Sequence, residues 1–165
     1  MNSSNYDALG EITFGGYDTE KCPGALSTVP LIGDDWKFLI TGFITGKYEI
    51  NDDFETKVDL YTGSGWFGAP DELLQNLYVT TGAYYDSSAY GYVVDCELKI
   101  PLTFKTKSVN IVLQFHEYTV KKYGKCVLAF YKTETKIRFD HLWLQSYCAI
   151  VDVNSRQFSF THVAN

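Results

Sequence analysis

The sequence predicts an all-β fold, a two-sheet antiparallel sandwich of jelly-roll or Greek-key type. Three observations carry that expectation. Apolar and polar residues alternate at period two in several stretches, turn-forming residues recur at short intervals, and the 165 residues include 13 Tyr, 11 Phe and 3 Trp. Period-two alternation marks a strand with one face buried. Aromatic side chains suit pleated, half-buried surfaces. No linker-like stretch or internal repeat divides the chain, so residues 1–165 read as a single β-sandwich domain with residues 1–35 as a loop-rich N-terminal arm. A chain of this length buries about two thirds of its unfolded surface and folds without needing a disulfide or a metal.

The arm is rich in Gly, Asp, Ser and Thr, with one short strand expected at residues 11–14. Residues 36–45 form a dense apolar run broken at Gly42. In residues 54–62, Phe54, Thr56, Val58, Leu60 and Thr62 face one way and Glu55, Lys57, Asp59 and Tyr61 the other. Ala69-Pro70-Asp71-Glu72 followed by Leu73, Leu74 and Leu77 predicts one short helix near residues 70–77, with Pro and acids in its first turn. Strand text resumes at 90–100, at 109–115, at 126–131 after a Tyr123-Gly124-Lys125 turn, and at 135–139, 142–151 and 157–163. The total is about eight to ten strands, as in a sandwich or barrel. The closing stretch from Arg156 to Val163 alternates aromatic and polar residues and resembles the last strand of trimeric viral fibre heads.

Charge is unevenly distributed. The net value of −6 combines −12 over residues 1–97 with +6 over residues 98–165. Either the two halves interleave and their charges mix, or the surface is dipolar and favours ordered contact with copies of itself. Cys22, Cys96, Cys126 and Cys148 contain no C-x-x-C pair and no zinc-site spacing. Four buried or half-buried thiols are expected; two disulfides, in one of three connectivities, are the alternative.

No familiar catalytic pattern is complete. Gly63-Ser64-Gly65-Trp66-Phe67-Gly68 spells G-x-G-x-x-G, but no βαβ unit follows it, and it reads as a glycine-rich turn exposing two aromatics. His116-Glu117 opens like a zincin motif, but Val120 stands where its second His belongs, and His141 and His162 lie far off in sequence. No G-x-S-x-G elbow occurs. Asp52, Asp53, Glu55, Asp71 and Glu72 offer carboxylates without a defining geometry. The turns Asp34-Asp35 and Asn51-Asp52-Asp53 read as solvated, with Ca²⁺ as the alternative. Lys99, Lys105, Lys107, Lys121, Lys122, Lys125 and Lys132 are a thin basis for nucleic-acid contact in an acidic chain with two arginines.

The expected function is therefore non-enzymatic. It is that of a structural or assembly protein, such as a virus or phage capsid, vertex or fibre-head subunit, meeting copies of itself or other particle subunits and using no cofactor or metal. The alternative is a ligand-binding sandwich, lectin-like or lipid-carrying, with a glycan or cell-surface receptor as partner. Its candidate contact residues are Trp66, Phe67, Tyr84, Tyr85, Tyr90 and Tyr92, because tyrosines among small polar residues form adaptable recognition surfaces. Residues 1–10 show no secretory signal and no apolar run is long enough to span a membrane, so the virion is the location that accompanies the assembly reading.

Overall fold

The computed structural model describes residues 10–33, 35–51 and 54–164. The first strands are β1 (Ser27–Pro30), β2 (Lys37–Ile40), β3 (Gly42–Thr45), β4 (Tyr48–Ile50), β5 (Thr56–Leu60) and β6 (Phe67–Pro70), followed by helix α1 (Asp71–Thr81). Then come β7 (Tyr84–Asp86), β8 (Gly91–Val94), β9 (Leu102–Lys105), β10 (Asn110–Leu113), a 3-10 turn at Phe115–Glu117, β11 (Thr119–Lys122) and β12 (Lys125–Leu128). The chain continues through β13 (Phe130–Thr133), β14 (Ile137–Phe139), the short helix α2 (His141–Leu144), β15 (Tyr147–Asp152) and β16 (Gln157–His162).

The protein is mostly β, as its alternation predicts, but its strands do not make a two-sheet antiparallel sandwich. They form four small sheets, in the orders β1-β16-β15, β10-β9-β3-β4, β11-β12-β8-β7 and β13-β6-β14-β5-β2. Two pairings in the last sheet are parallel, β13 with β6 and β14 with β5. A run of short strands gives the same sequence period whether its neighbours are parallel or antiparallel, so alternation does not reveal this difference. The expected strand at residues 11–14 is absent.

The sheets meet on one apolar cluster that includes Phe38, Phe43, Val58, Phe67, Phe104, Phe139, Trp143 and Phe158. Phe139 stands near its middle, edge-on to Phe38, Phe67 and Phe104 and tilted against Trp143. Edge-to-face aromatic pairs each contribute about 0.5–1.5 kcal/mol beyond their burial.

Helix α1 starts where Pro70, Asp71 and Glu72 predict, and buries Leu73, Leu74 and Leu77. It runs one turn further than expected because Thr81 continues the buried stripe four residues after Leu77, and its Oγ1 donates to the Leu77 carbonyl at 2.7 Å. Gly82, at φ 66°, ends it in the left-handed conformation. The β11–β12 hairpin turns on Tyr123 and Gly124, both at positive φ, the geometry of a type I′ turn.

All four cysteines are paired, Cys22 with Cys148 and Cys96 with Cys126, so the expectation of free thiols is corrected. Spacing alone carries no pairing information when partners lie 126 and 30 residues apart. The first bridge fastens the arm to β15, and the second fastens the segment after β8 to β12.

The charge split resolves into ion pairs between the two halves. Lys105 meets Glu49, Lys107 meets Glu55, Lys125 meets Asp86, Lys132 meets Asp71 and Lys136 meets Asp59. The acids come from the first half of the chain and the bases from the second, and the fold interleaves them.

Both disulfides should appear as linked peptides in an unreduced digest. Replacing both cysteines of either pair by Ala should cost roughly 3–5 kcal/mol, more for the bridge closing the longer loop. Denaturant unfolding checks this, and an unchanged midpoint for both variants would contradict it.

Candidate functional site

The glycine-rich turn at residues 61–66 joins two strands that are not neighbours. In the five-stranded sheet β14 lies between β5 and β6, so the turn must cross over the end of β14. The backbone of Tyr61 extends the β5 pairing by donating from its N–H to the Phe139 carbonyl at 2.9 Å. The Phe67 N–H then donates to the Ala129 carbonyl at 2.9 Å and starts the pairing of β6 with β13.

Asp140, the residue directly after β14, holds the turn from beneath. Its side chain is fully buried, and Oδ1 accepts from the Ser64 N–H at 3.0 Å and from the His141 N–H at 2.7 Å. One carboxylate therefore fixes the turn and caps α2. Within the turn, the Ser64 hydroxyl accepts from the Trp66 N–H at 3.1 Å and donates to the Trp66 carbonyl at 3.2 Å.

On the other face of the sheet the turn borders a polar group. Asp59 of β5 lies in register with Arg138 of β14, and Arg138 lies opposite Gly68 of β6. Gly68 is required there by close approach: a Cβ at this position would stand 2.7 Å from Thr133 Cγ2, 3.0 Å from Tyr131 Cζ and 3.1 Å from Arg138 Cβ. Arg138 and Tyr131 thus lie over a bare stretch of backbone. Arg138 Nη1 donates to the Tyr131 hydroxyl at 3.3 Å, and the guanidinium carbon sits 5.1 Å from the centre of the Tyr61 ring. Asp59 Oδ2 is 3.4 Å from Lys136 Nζ and 4.0 Å from Arg138 Nε. The open face beside the turn therefore presents a phenol ring and a guanidinium, with its own carboxylate engaged by cations.

The residues singled out from sequence separate into two groups. Phe67 is no contact residue: it is 1% exposed, stacked on Phe130 at 5.3 Å, because its side chain points to the core side of β6. Trp66, Tyr84, Tyr85, Tyr90 and Tyr92 lie on or against the β7–β8 hairpin but divide between its faces, Tyr85 paired with Tyr92 on one and Trp66 packed on Val93, the partner of Tyr84, on the other. Trp66 is half-buried against Ala89, Val93 and Val127, which joins the turn to the β7–β8 hairpin. Tyr84, Tyr85 and Tyr90 are exposed on that hairpin. Tyr92 stacks on Tyr78 of α1 at 3.7 Å and meets Tyr85 edge-on at 5.6 Å. Burial pushes the Tyr78 phenol up to about 12. Lys122 Nζ lies 5.4 Å from the Tyr90 ring and 5.8 Å from the Tyr123 ring. The hairpin is tied to β11–β12 by the Lys125–Asp86 ion pair, and hydrogen bonds from Lys125 and then Ser88 hold the Asp86 carboxyl well below the usual carboxylate range.

The other expectations fall as follows. His116 and His141 are exposed and separate, while His162 Nδ1 lies 3.9 Å from the buried Glu117. Among the described residues no group of three or more potential metal-binding side chains forms. Asp34, Asp52 and Asp53 lie outside the described residues, and Asp35 pairs with Lys37 at 2.5 Å. Among the described residues no helix is long and apolar enough to cross a membrane. Sequence reasoning passed over Asp59, Tyr61, Arg138 and Asp140. The available signal was an acid standing between Phe139 and the apolar run that starts at Leu142.

Comparison with known proteins supplies the class. Residues 1–163 match the family described as eukaryotic aspartyl protease. Aspartic protease 1 of Caenorhabditis elegans is 29% identical over 167 residues, covering 92% of this chain and 41% of the relative. Aspartic protease 17 of the same organism is 27% identical over 98% of this chain and 44% of its own length. Probable vacuolar protease A of Trichophyton verrucosum is 28% identical over 72% of this chain and 30% of its own length. The chain thus spans about two fifths of the length of the nematode relatives it matches. These matches overturn the expectation of a non-enzymatic viral particle component and that of a lectin or lipid carrier. The misreading has a physical source: a β-rich peptidase and a capsid subunit share the same alternation, and no short motif here distinguishes them.

Asp140→Ala should destabilise the protein by about 2–4 kcal/mol, since it orphans two backbone donors in the interior, whereas Asp140→Asn should cost less because an acceptor remains. Urea unfolding checks both. Asp86 has a folded value below its unfolded one, so its stabilisation is present above about pH 4 and fades as pH falls below that. Asp86→Asn should therefore lower Tm at pH 6, and the difference from wild type should shrink in stronger acid.

Proposed function

The chain belongs to the eukaryotic aspartyl protease family, and on that premise we propose that it is one folded half of a peptide hydrolase. The observation that carries this is the match itself: nearly the whole chain, with an apolar core of its own, corresponds to under half the length of its relatives.

Hydrolysis in this class uses two aspartic carboxylates sharing one proton, because like charges about 3 Å apart cannot both ionise. One such pair activates water for attack on the amide carbon and then protonates the leaving nitrogen. The two carboxylates beside the glycine-rich turn have other work. Asp140 is enclosed and bound to two backbone amides. Asp59 faces Lys136 and Arg138. In this reading the chain binds and orients the peptide, and the proton-sharing pair draws on residues beyond 1–165. The contact surface is the open face of the turn with the adjoining hairpin of Tyr84, Tyr85, Tyr90 and Tyr92, whose rings offer rigid apolar area with hydroxyl tips. Trp66 connects the two. The two disulfides are consistent with folding in an oxidising compartment, in the secretory route or outside the cell.

Peptide-cleavage assays across pH 3–7, on the isolated chain and on the longest polypeptide its gene encodes, test the proposal. Cleavage by the longer polypeptide, insensitive to Asp59→Asn within about three-fold in kcat/KM, is the expected result. Cleavage by the isolated chain would place the catalytic pair within it, and loss of all cleavage on Asp59→Asn would make Asp59 one member of that pair; either result contradicts the proposal.

A further inference from the structure

We propose that Arg138, with the Tyr131 hydroxyl bound to it and the Tyr61 ring beside it, forms a binding site for a carboxylate group on the open face of the five-stranded sheet. The guanidinium is a planar fork of N–H donors whose geometry matches a carboxylate two bonds at a time. Here that fork is largely unspent. It makes one hydrogen bond, to the neutral Tyr131 hydroxyl. Its nearest anion, Asp59 Oδ2, is 4.0 Å from Nε, beyond hydrogen-bond reach, and stands closer to Lys136 at 3.4 Å. Nε itself is buried with no acceptor, as is Asp59 Oδ1. The neighbourhood is also one negative charge short: Lys37 and Lys136 flank Asp59 together with Arg138, and Lys37 is bound to Asp35.

Position and rigidity support the same assignment. The Arg138 side chain is 36% exposed although its Nε is buried, so the group is open to solvent in part. The bare backbone at Gly68 seats it, and the Tyr61 ring lies 5.1 Å from its carbon, which fixes the plane of the fork before any ligand arrives. The Tyr131 hydroxyl accepts from Nη1 and keeps its own proton to donate. A carboxylate arriving here would take two guanidinium bonds and a phenol bond. It would come from an acidic side chain of the polypeptide beyond residues 1–165 or from a bound peptide, through an acidic residue or a free C-terminus.

This inference does not require hydrolysis, and its test reads Arg138 directly. The chain has two arginines, Arg138 and Arg156, so its Nε–H NMR spectrum contains two signals, assigned by Arg138→Lys. Sodium acetate, titrated against sodium chloride at matched ionic strength, should move the Arg138 signal saturably and leave Arg156 following the salt control. The amides of Gly68 and Tyr61 should move with it in wild type and respond at least about ten-fold more weakly in Arg138→Lys, which keeps the charge and loses the fork. Acetate and chloride acting alike, or no movement of Arg138, overturns the site. Two further arms locate the source. In the longest encoded polypeptide, an Arg138 signal already displaced and unresponsive to acetate identifies an internal carboxylate. A signal that still responds, and responds more tightly to a peptide bearing a C-terminal carboxylate than to its amide, identifies a ligand.

Discussion

The whole arrangement depends on one buried carboxylate. A sheet in which β14 separates β5 from β6 obliges the intervening chain to cross above a strand end, where its amides have no strand partner. A buried amide without an acceptor costs about 1–3 kcal/mol. Asp140 provides that acceptor to Ser64 while capping the helix that follows. The crossing, the open face above it and the polar group around Arg138 all take their positions from this contact.

Below the sheet, the same turn is fixed by packing. Phe67, on the strand that leaves the crossing, and Phe139, on the strand crossed over, meet edge-on in the aromatic cluster. Above the sheet, alternation carries Asp59, Tyr61 and Arg138 outward and Gly68 leaves room for side chains to lie flat. One strand period thus builds the core with one set of residues and an open polar face with the other. Trp66, packed on Ala89, Val93 and Val127, joins the turn to the β7–β8 hairpin.

Much of the local structure was legible in the residues. The alternation from Thr56 to Leu60, the break at Gly42, the start of α1 and the Tyr123-Gly124 turn all appear where short-range chemistry puts them. What the residues did not reveal is non-local. Parallel pairing, the crossing over β14 and the Cys22–Cys148 bridge join segments tens of residues apart, and no pattern within a short window records them. Phe67 was read as exposed because a glycine-rich motif suggests a loop, whereas β6 begins inside that motif. The apolar run from Leu142 reads as a strand, whereas it opens as helix α2, so the sequence singles out no role for Asp140. Its burial follows from the sheet closing around it.

The class of chemistry was the least legible part. In a β-rich peptidase the reacting groups are ordinary side chains assembled by the fold, with no signature comparable to a metal-binding spacing. Family resemblance supplied it: residues 1–163 match the eukaryotic aspartyl protease family. The most direct measurement of the central contact is amide hydrogen exchange at Ser64. Held by Asp140, this turn amide should exchange as slowly as the paired amides of β5 and β6; exchange at the rate of an open loop would contradict the buried contact.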